Sequence, residues 1–286
     1  MDFGNHPLVD TLNQFSLIKA LRPFSLAVAL ISCGLGILLA WQDGFTNISI
    51  ALLVMAGGIL AQAGINLIND VEDLPDLKNA PAAAMIRRNR NVGITCFGCA
   101  SLIALYLISI RGWPLLLTVL FSALAALSYN FGPLNFKRRG LALVQVFLVM
   151  GVVMVQGAYL SMTGYFSVHA LWLSLPVSLL ISLLLLSNEL RDIEEDTQLG
   201  TRTLTVRIGY RNSVHLYWLL ILTAYVLAIG FSYSGDTARL LWLLLPLPLL
   251  APINRYLQES ERGRLTPLTG RFFLMFGLAY LMALNG

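Results

Sequence analysis

Residues 140–188 read GLALVQVFLVMGVVMVQGAYLSMTGYFSVHALWLSLPVSLLISLLLLSN, without one Asp, Glu, Lys or Arg. A bilayer is crossed by about 20 apolar residues, so this stretch holds two helices, and Thr163-Gly164-Tyr165 is the natural turn between them. Similar charge-free stretches run over 44–69, 91–110, 112–136, 212–235 and 240–254. A fixed charge at mid-bilayer costs a few kcal/mol or more, so each gap is a candidate span. Counted along the chain, the pattern predicts an all-α, polytopic membrane protein of about nine transmembrane helices. The helices centre near residues 32, 57, 101, 122, 151, 178, 221, 246 and 277. Pro246, Pro248 and Pro252 predict a kink in the eighth.

Composition agrees. The 286 residues are 57% hydrophobic and 12% charged, with a mean hydropathy of +0.74. Soluble domains carry about 25% charged residues, so a soluble enzyme, a disordered chain and a disulfide scaffold are excluded. The first span ends without a cleavage pattern and reads as an anchor rather than a signal peptide. We treat residues 1–286 as a single membrane-embedded domain.

Orientation follows from the basic residues. Of 19, all but Arg111 and Arg239 fall at the N-terminus or in connections from even to odd spans. The positive-inside rule puts that side, and the N-terminus, in the cytoplasm, with a bacterial plasma membrane as the expected location. The basic loops are short and interrupted, so the net charge of +4 does not argue for nucleic acid. Cys33, Cys96 and Cys99 read as small packing residues, and His6, His169 and His215 form no ligand set. Gly57, Gly58, Gly64, Gly151 and Gly157 are expected to let helices approach closely.

Nine of the 15 carboxylates sit in two short runs. One is Asn66-Leu67-Ile68-Asn69-Asp70-Val71-Glu72-Asp73-Leu74-Pro75-Asp76. The other is Asn188-Glu189-Leu190-Arg191-Asp192-Ile193-Glu194-Glu195-Asp196. Both follow an even-numbered span, and both open with Asn-x-x-x-Asp. If the helices continue past the bilayer, Asp70 and Asp73, and likewise Asp192 and Asp196, share a helix face. Like charges one turn apart repel unless a cation sits between them. Clustered hard oxygen ligands suit Mg²⁺, which completes its shell with water and substrate phosphates. With Arg191 inside one run and Lys78, Lys137 and Arg138 on the same side, the set describes a diphosphate site. Asp76, beyond Pro75, is expected to matter least. The separation of the runs hints at an internal repeat.

Asn69-Asp70-x-x-Asp73 and Asp192-x-x-x-Asp196 resemble the two motifs of the UbiA-type intramembrane prenyltransferases. The run from Asn188 to Asp196, followed by Gly200-Thr201-Arg202-Thr203-Leu204-Thr205-Val206-Arg207-Ile208-Gly209, is similar to the branch that prenylates 1,4-dihydroxy-2-naphthoate for menaquinone. Leu21-Arg22-Pro23 and Gly157-Ala158-Tyr159-Leu160 resemble that branch too, and the similarity covers nearly the whole chain. The resemblance implies an all-helical bundle whose transmembrane helices stand around a central cavity open toward lipid. It also implies Mg²⁺-dependent ionisation of a polyprenyl diphosphate and attack of an electron-rich aromatic ring on the allylic cation. By position it implies Asp70, Asp73, Asp192 and Asp196 as metal ligands, supported by Asn66, Asn69 and Asn188. Lys137 and Arg191 would neutralise the leaving diphosphate, with Arg22, Arg138 and Arg202 as further basic candidates. Tyr129 would sit near the cation, whose charge an aromatic face stabilises.

Two departures bear on the acceptor. Asp76 comes early, with Asn79-Ala80-Pro81-Ala82-Ala83-Ala84 in place of the branch's usual segment, and Lys137-Arg138 looks more like the hydroxybenzoate branch. Competing expectations are therefore prenylation of 4-hydroxybenzoate or another aromatic of ubiquinone or secondary metabolism. From a different class comes a transporter, which would place its binding residues on broken helices near mid-membrane.

Overall fold

The computed structural model describes residues 15–69, 71, 80–130, 135–233, 237–259 and 262–285. Among them the chain is helical throughout. A short α1 (Leu17–Ala20) precedes α2 (Pro23–Gln42), α3 (Ile48–Asn69), α4 (Ala80–Arg111), α5 (Trp113–Asn130), α6 (Ala142–Thr163) and α7 (Val168–Arg191). Then come the small α8 (Ile193–Gln198) and α9 (Leu204–Ile208), followed by α10 (Tyr210–Ser232), α11 (Thr237–Gln258) and α12 (Leu265–Asn285). Eight of these are long and apolar enough to cross a membrane, and α5 is a shorter apolar helix beside them. Among the described residues, eight of the nine expected spans therefore have a helix long enough to cross, and the fourth corresponds to the shorter α5.

α2 and α7 form the centre: 72% of α7's apolar window is buried, against 11% of α4's, which faces outward. Lipid tails are as apolar as leucine, so close packing and interhelical hydrogen bonds must hold such a bundle together. Gly151 of α6 lies so close to α7 that a Cβ there would come within 2.2 Å of Ser178 Oγ. Hydroxyls bond to neighbouring backbones: Ser32 donates to the Met150 carbonyl at 2.9 Å, Ser182 to Leu143 at 2.9 Å and Tyr280 to Leu173 at 3.1 Å. Arg111 caps the end of α6 through the carbonyls of Ser161 (2.8 Å) and Met162 (2.6 Å).

Three details differ from the simple span pattern. α4 starts at Ala80 and so carries Arg87, Arg88 and Arg90 within the helix. α6 contains a π-helical segment, Phe147–Val153. α11 is more than kinked: 3₁₀ turns at Thr237–Leu244 and Leu247–Leu249 precede an α-helix at Leu250–Gln258. Pro246, Pro248 and Pro252 supply no N–H to an α-ladder, which accounts for the break. The cysteines are free, with Cys33 buried and Cys99 exposed. A recess of about 300 Å³ opens on the side of the bundle between α5 and α6, lined by Trp113, Leu117, Phe121, Val153 and Phe166. It lies toward the end of the bundle away from Asp192.

Alternation of the spans gathers the start of α2, the ends of α3, α5 and α7 and the starts of α10 and α12 at one end. Polar ties knit that end. Asn66 donates to the Leu21 carbonyl at 2.7 Å, Asn89 to Phe15 at 2.9 Å and Arg207 to Arg138 at 3.1 Å, and Tyr210 donates to Leu257.

Candidate active site at the acidic end of the bundle

The second acidic run lies where α7 stops. Asp192 (φ −99°, ψ 10°) leaves the helical region, and its N–H bonds back to the Asn188 carbonyl at 3.0 Å. The helix bends there instead of running on. The Asp192 carbonyl nevertheless accepts the Asp196 N–H at 2.8 Å, so the two aspartates stay one turn apart across the bend. α8 begins with Glu194, Glu195 and Asp196 in its first turn, where the partial positive charge of a helix start favours carboxylates. The segment closes at Gly200 (φ 69°), a backbone conformation glycine adopts without strain.

Each acid of this run has a distinct partner. Arg191 grips Asp192 with two bonds, Nε to Oδ1 at 2.6 Å and Nη2 to Oδ2 at 2.7 Å, the two-pronged geometry of the strongest charge-assisted pairs. Its third nitrogen reaches Thr266 at 3.4 Å. Glu194 pairs with Arg262 at 2.7 Å. That guanidinium lies 4.2 Å over the Tyr210 ring, and its hydrogen bond holds the Glu194 carboxyl below its ordinary range. Asp196 accepts from the Thr203 hydroxyl at 3.3 Å. Burial pushes its carboxyl up, Lys137 opposes that, and the charge of Asp192 adds to it. Glu189, one turn back, is 5% exposed. Its Oε2 accepts the Thr205 N–H at 3.1 Å, and its Oε1 has no partner.

Lys137 arrives on the loop after α5. That loop folds back, with the Lys137 N–H on the Tyr129 carbonyl at 3.3 Å and the Phe136 N–H on Ser128 at 3.2 Å. Asn135, in a left-handed conformation (φ 28°), turns the chain and accepts the Arg138 N–H on its side chain at 3.1 Å. Lys137 is half-buried and Tyr129 packs partly into the core, while Arg138 and Arg202 are exposed. The carbonyls of Arg138 and Arg202 both take bonds from Arg207, at 3.1 and 2.9 Å, which ties the two loops into one rim.

The first run is described only at its start. Asn66 is buried, with its amide on the Leu21 carbonyl and its Oδ1 accepting from Ser25 (3.2 Å) and Gln62 (3.1 Å). It fastens the chain just before Arg22, whose left-handed backbone (φ 49°) leads into α2. Asn69 is the last residue of α3. Asp70, Asp73, Asp76 and Lys78 lie outside the described residues. Among those described, no three His, Cys, Asp or Glu side chains converge as a metal cage. What is described is a pair of carboxylates one turn apart, with Asp196 held up partly by Asp192's charge. A divalent cation would relieve that repulsion, and the hard oxygen donors fit Mg²⁺.

Residues 29–278 match the model of the UbiA prenyltransferase family. The chain belongs to that family. It is an integral membrane prenyltransferase, all-α and polytopic. It is 27% identical to a UbiA prenyltransferase domain-containing protein 1 of Dictyostelium discoideum, over 91% of this chain and 84% of the relative. It is 24% identical to a 1,4-dihydroxy-2-naphthoate octaprenyltransferase of Bacillus subtilis, over 95% of this chain and 94% of the relative. The fold matches the structure of a UbiA homolog from Archaeoglobus fulgidus bound to GPP and Mg²⁺, with a TM-score of 0.59, 15% identity and coverage of 93% and 99% of the two chains. The relatives come from eukaryotes as well as bacteria, so they do not support the expected bacterial plasma membrane. In this UbiA-family chain, Glu189, Thr203, Thr205, Gln62 and Ser25 are polar participants that the charge pattern did not single out. The Gly-x-x-Thr-Leu tail was a visible signal for Thr203, but its bond to Asp196 depends on the fold.

Proposed function

We propose that the chain transfers a polyprenyl group from its diphosphate to 1,4-dihydroxy-2-naphthoate, with Mg²⁺ as cofactor, as in menaquinone synthesis. The observation carrying this is that Asp192, gripped by Arg191, and Asp196, which feels the charge of Lys137, lie one turn apart at the rim of an apolar bundle of this family. Similarity to the Bacillus naphthoate enzyme along nearly the full length supports the acceptor. Asp192 and Asp196, with Asp70 and Asp73, would hold Mg²⁺, which when bound neutralises diphosphate oxygens and promotes their departure. Asn66, Asn69 and Asn188 brace those helix ends. Lys137 and Arg191 bind the diphosphate and stabilise its charge as the C–O bond breaks, and Arg22, Arg138 and Arg202 draw the anion toward the rim. Tyr129 offers its ring face to the allylic cation, and the apolar spans exclude the water that would quench it. The aromatic carbon then forms the new C–C bond and releases what it carried, a proton at a C–H position or CO₂ at the carboxyl-bearing carbon of the naphthoate.

The basic asymmetry supports placing this end in the cytoplasm. The family match over residues 29–278 supports one domain across 1–286. Lys137-Arg138 favours 4-hydroxybenzoate as a second acceptor. The test is to incubate purified protein with a polyprenyl diphosphate, Mg²⁺ and each acid in turn, with detection by mass spectrometry. Prenylated naphthoate is the expected product. Prenylated hydroxybenzoate alone would replace the acceptor, and no product with any aromatic would sink the reading.

A further inference from the structure

Glu189 is the one carboxylate among the described residues that the bundle buries, and burying such a group is costly unless it is paired or hydrogen-bonded. Its surroundings form a continuous run of polar contacts. Oε2 accepts the Thr205 N–H at 3.1 Å, and the Glu189 carbonyl faces the Thr205 hydroxyl at 3.3 Å. The hydroxyls of Thr205 and Thr203 are 3.1 Å apart, and Thr203 reaches Asp196 Oδ2 at 3.3 Å. Both threonines are 0% exposed. The run therefore leaves α7, crosses to the chain after α8 and returns to α8 at Asp196. Asp192 needs no such help, because Arg191 grips both of its oxygens.

We infer that Glu189 is a positioning residue for Asp196. It pins the Thr203–Thr205 segment so that the Thr203 hydroxyl holds the Asp196 carboxylate in the orientation that receives the divalent cation. Glu189 itself touches neither cation nor substrate. The inference rests on the proposed diphosphate site and adds what aligns its second carboxylate. Outer-sphere partners of this kind typically change metal affinity about 10–100-fold when removed.

The test uses the full chain in detergent or nanodiscs, with four variants: Thr203→Val, Thr203→Ser, Glu189→Leu and Glu189→Gln. Two quantities are read for each: the Mg²⁺ concentration giving half of the Mg²⁺-induced rise in unfolding temperature, and the half-saturating Mg²⁺ for turnover. Thr203→Val and Glu189→Leu should raise both about tenfold, with turnover recovering at saturating Mg²⁺. Thr203→Ser and Glu189→Gln keep the bonding groups and should stay near wild type. Should Glu189→Leu fail to fold, Thr203→Val decides alone. An unchanged Mg²⁺ midpoint in Thr203→Val overturns the inference, as does a lowered unfolding temperature without a midpoint shift. So does a Glu189→Gln enzyme that has lost turnover even at saturating Mg²⁺, because Glu189 would then act directly. A wild-type protein with no Mg²⁺ dependence defeats the proposed function itself, whereas a metal-dependent wild type with unmoved variants defeats only the role of Glu189.

Discussion

Asp196→Asn should separate activity from stability. The asparagine has the same shape, and its Oδ1 can still accept from Thr203, so the segment around residue 203 stays in place. What disappears is one negative charge, opposite Lys137 and one turn from Asp192. Losing one electrostatic contact of this kind at a reacting centre costs about 2.7–4 kcal/mol, or about 100–1000-fold in turnover. Stability should move the other way. The carboxyl is held above its ordinary range by burial and by Asp192. A raised folded-state pKa gives stability at low pH that is lost as pH rises through it. At neutral pH the ionised wild type carries that penalty, and the neutral asparagine does not. The unfolding temperature of the variant should therefore match or exceed that of wild type at pH 7.5, with the advantage vanishing toward pH 4. The assay is turnover at saturating Mg²⁺ per folded protein, alongside a thermal melt at both pH values. Turnover within threefold of wild type would refute the placement of Asp196 at the reacting end of the molecule.

Three other expectations are open to direct measurement. Chelation with EDTA should abolish turnover and added Mg²⁺ restore it, and undiminished activity in excess chelator would exclude a metal-dependent site. A cysteine introduced at Arg138, on the exposed rim, should react with an impermeant thiol reagent only after the membrane is opened, in a background lacking the three native cysteines. Labelling in intact cells would reverse the orientation. Gly151→Val places its Cβ about where Ser178 stands, 2.2 Å from Oγ and 2.7 Å from Cα. Overpacking of this sort costs typically about 1–3 kcal/mol, read as a lower unfolding temperature in detergent, and an unchanged melt would mean that α6 and α7 are not in contact there.

Charge placement made most of this architecture legible, because a membrane span punishes a charge more strictly than any propensity rewards a helix. The gaps over 44–69 and 140–188 map onto α3 and the pair α6–α7. The start of α4 was less readable: the gap opens at Asn91, but Ala82, Ala83, Met85, Arg87 and Arg88 are good helix formers and carry the helix back to Ala80. The second acidic run was found by residue type and spacing, and its one-turn relation between Asp192 and Asp196 survives the bend. The bend was not foreseen, since it depends on how Thr203 and Arg262 draw α8 across the bundle end. The buried roles of Glu189 and Thr205 stayed hidden for the same reason. A carboxylate in an acidic run looks solvated until the fold covers it. The π segment of α6 left no mark on composition.

That segment sets the phase of α6 as two half-helices. Before it, Leu143 offers its carbonyl to Ser182, and within it Met150 offers its own to Ser32. Beyond it, Val155 and Ala158 receive Gly36, Tyr159 donates to Asp43, and Arg111 holds the final turn. A π turn bonds i to i+5, so its extra residue offsets the second half from the rotation an uninterrupted helix would give. Deleting a single residue from Phe147–Val153 would leave a span as apolar as before and still about 20 residues long. Such a deletion closes the segment into regular α-helix and keeps Tyr159 on Asp43, whereas the same deletion in the regular turn after Val153 has no extra residue to absorb it and turns everything beyond by about 100°. Lesions of this kind act as frameshifts of helix faces, silent in every measure of hydrophobicity and legible only in which partners each half-turn meets.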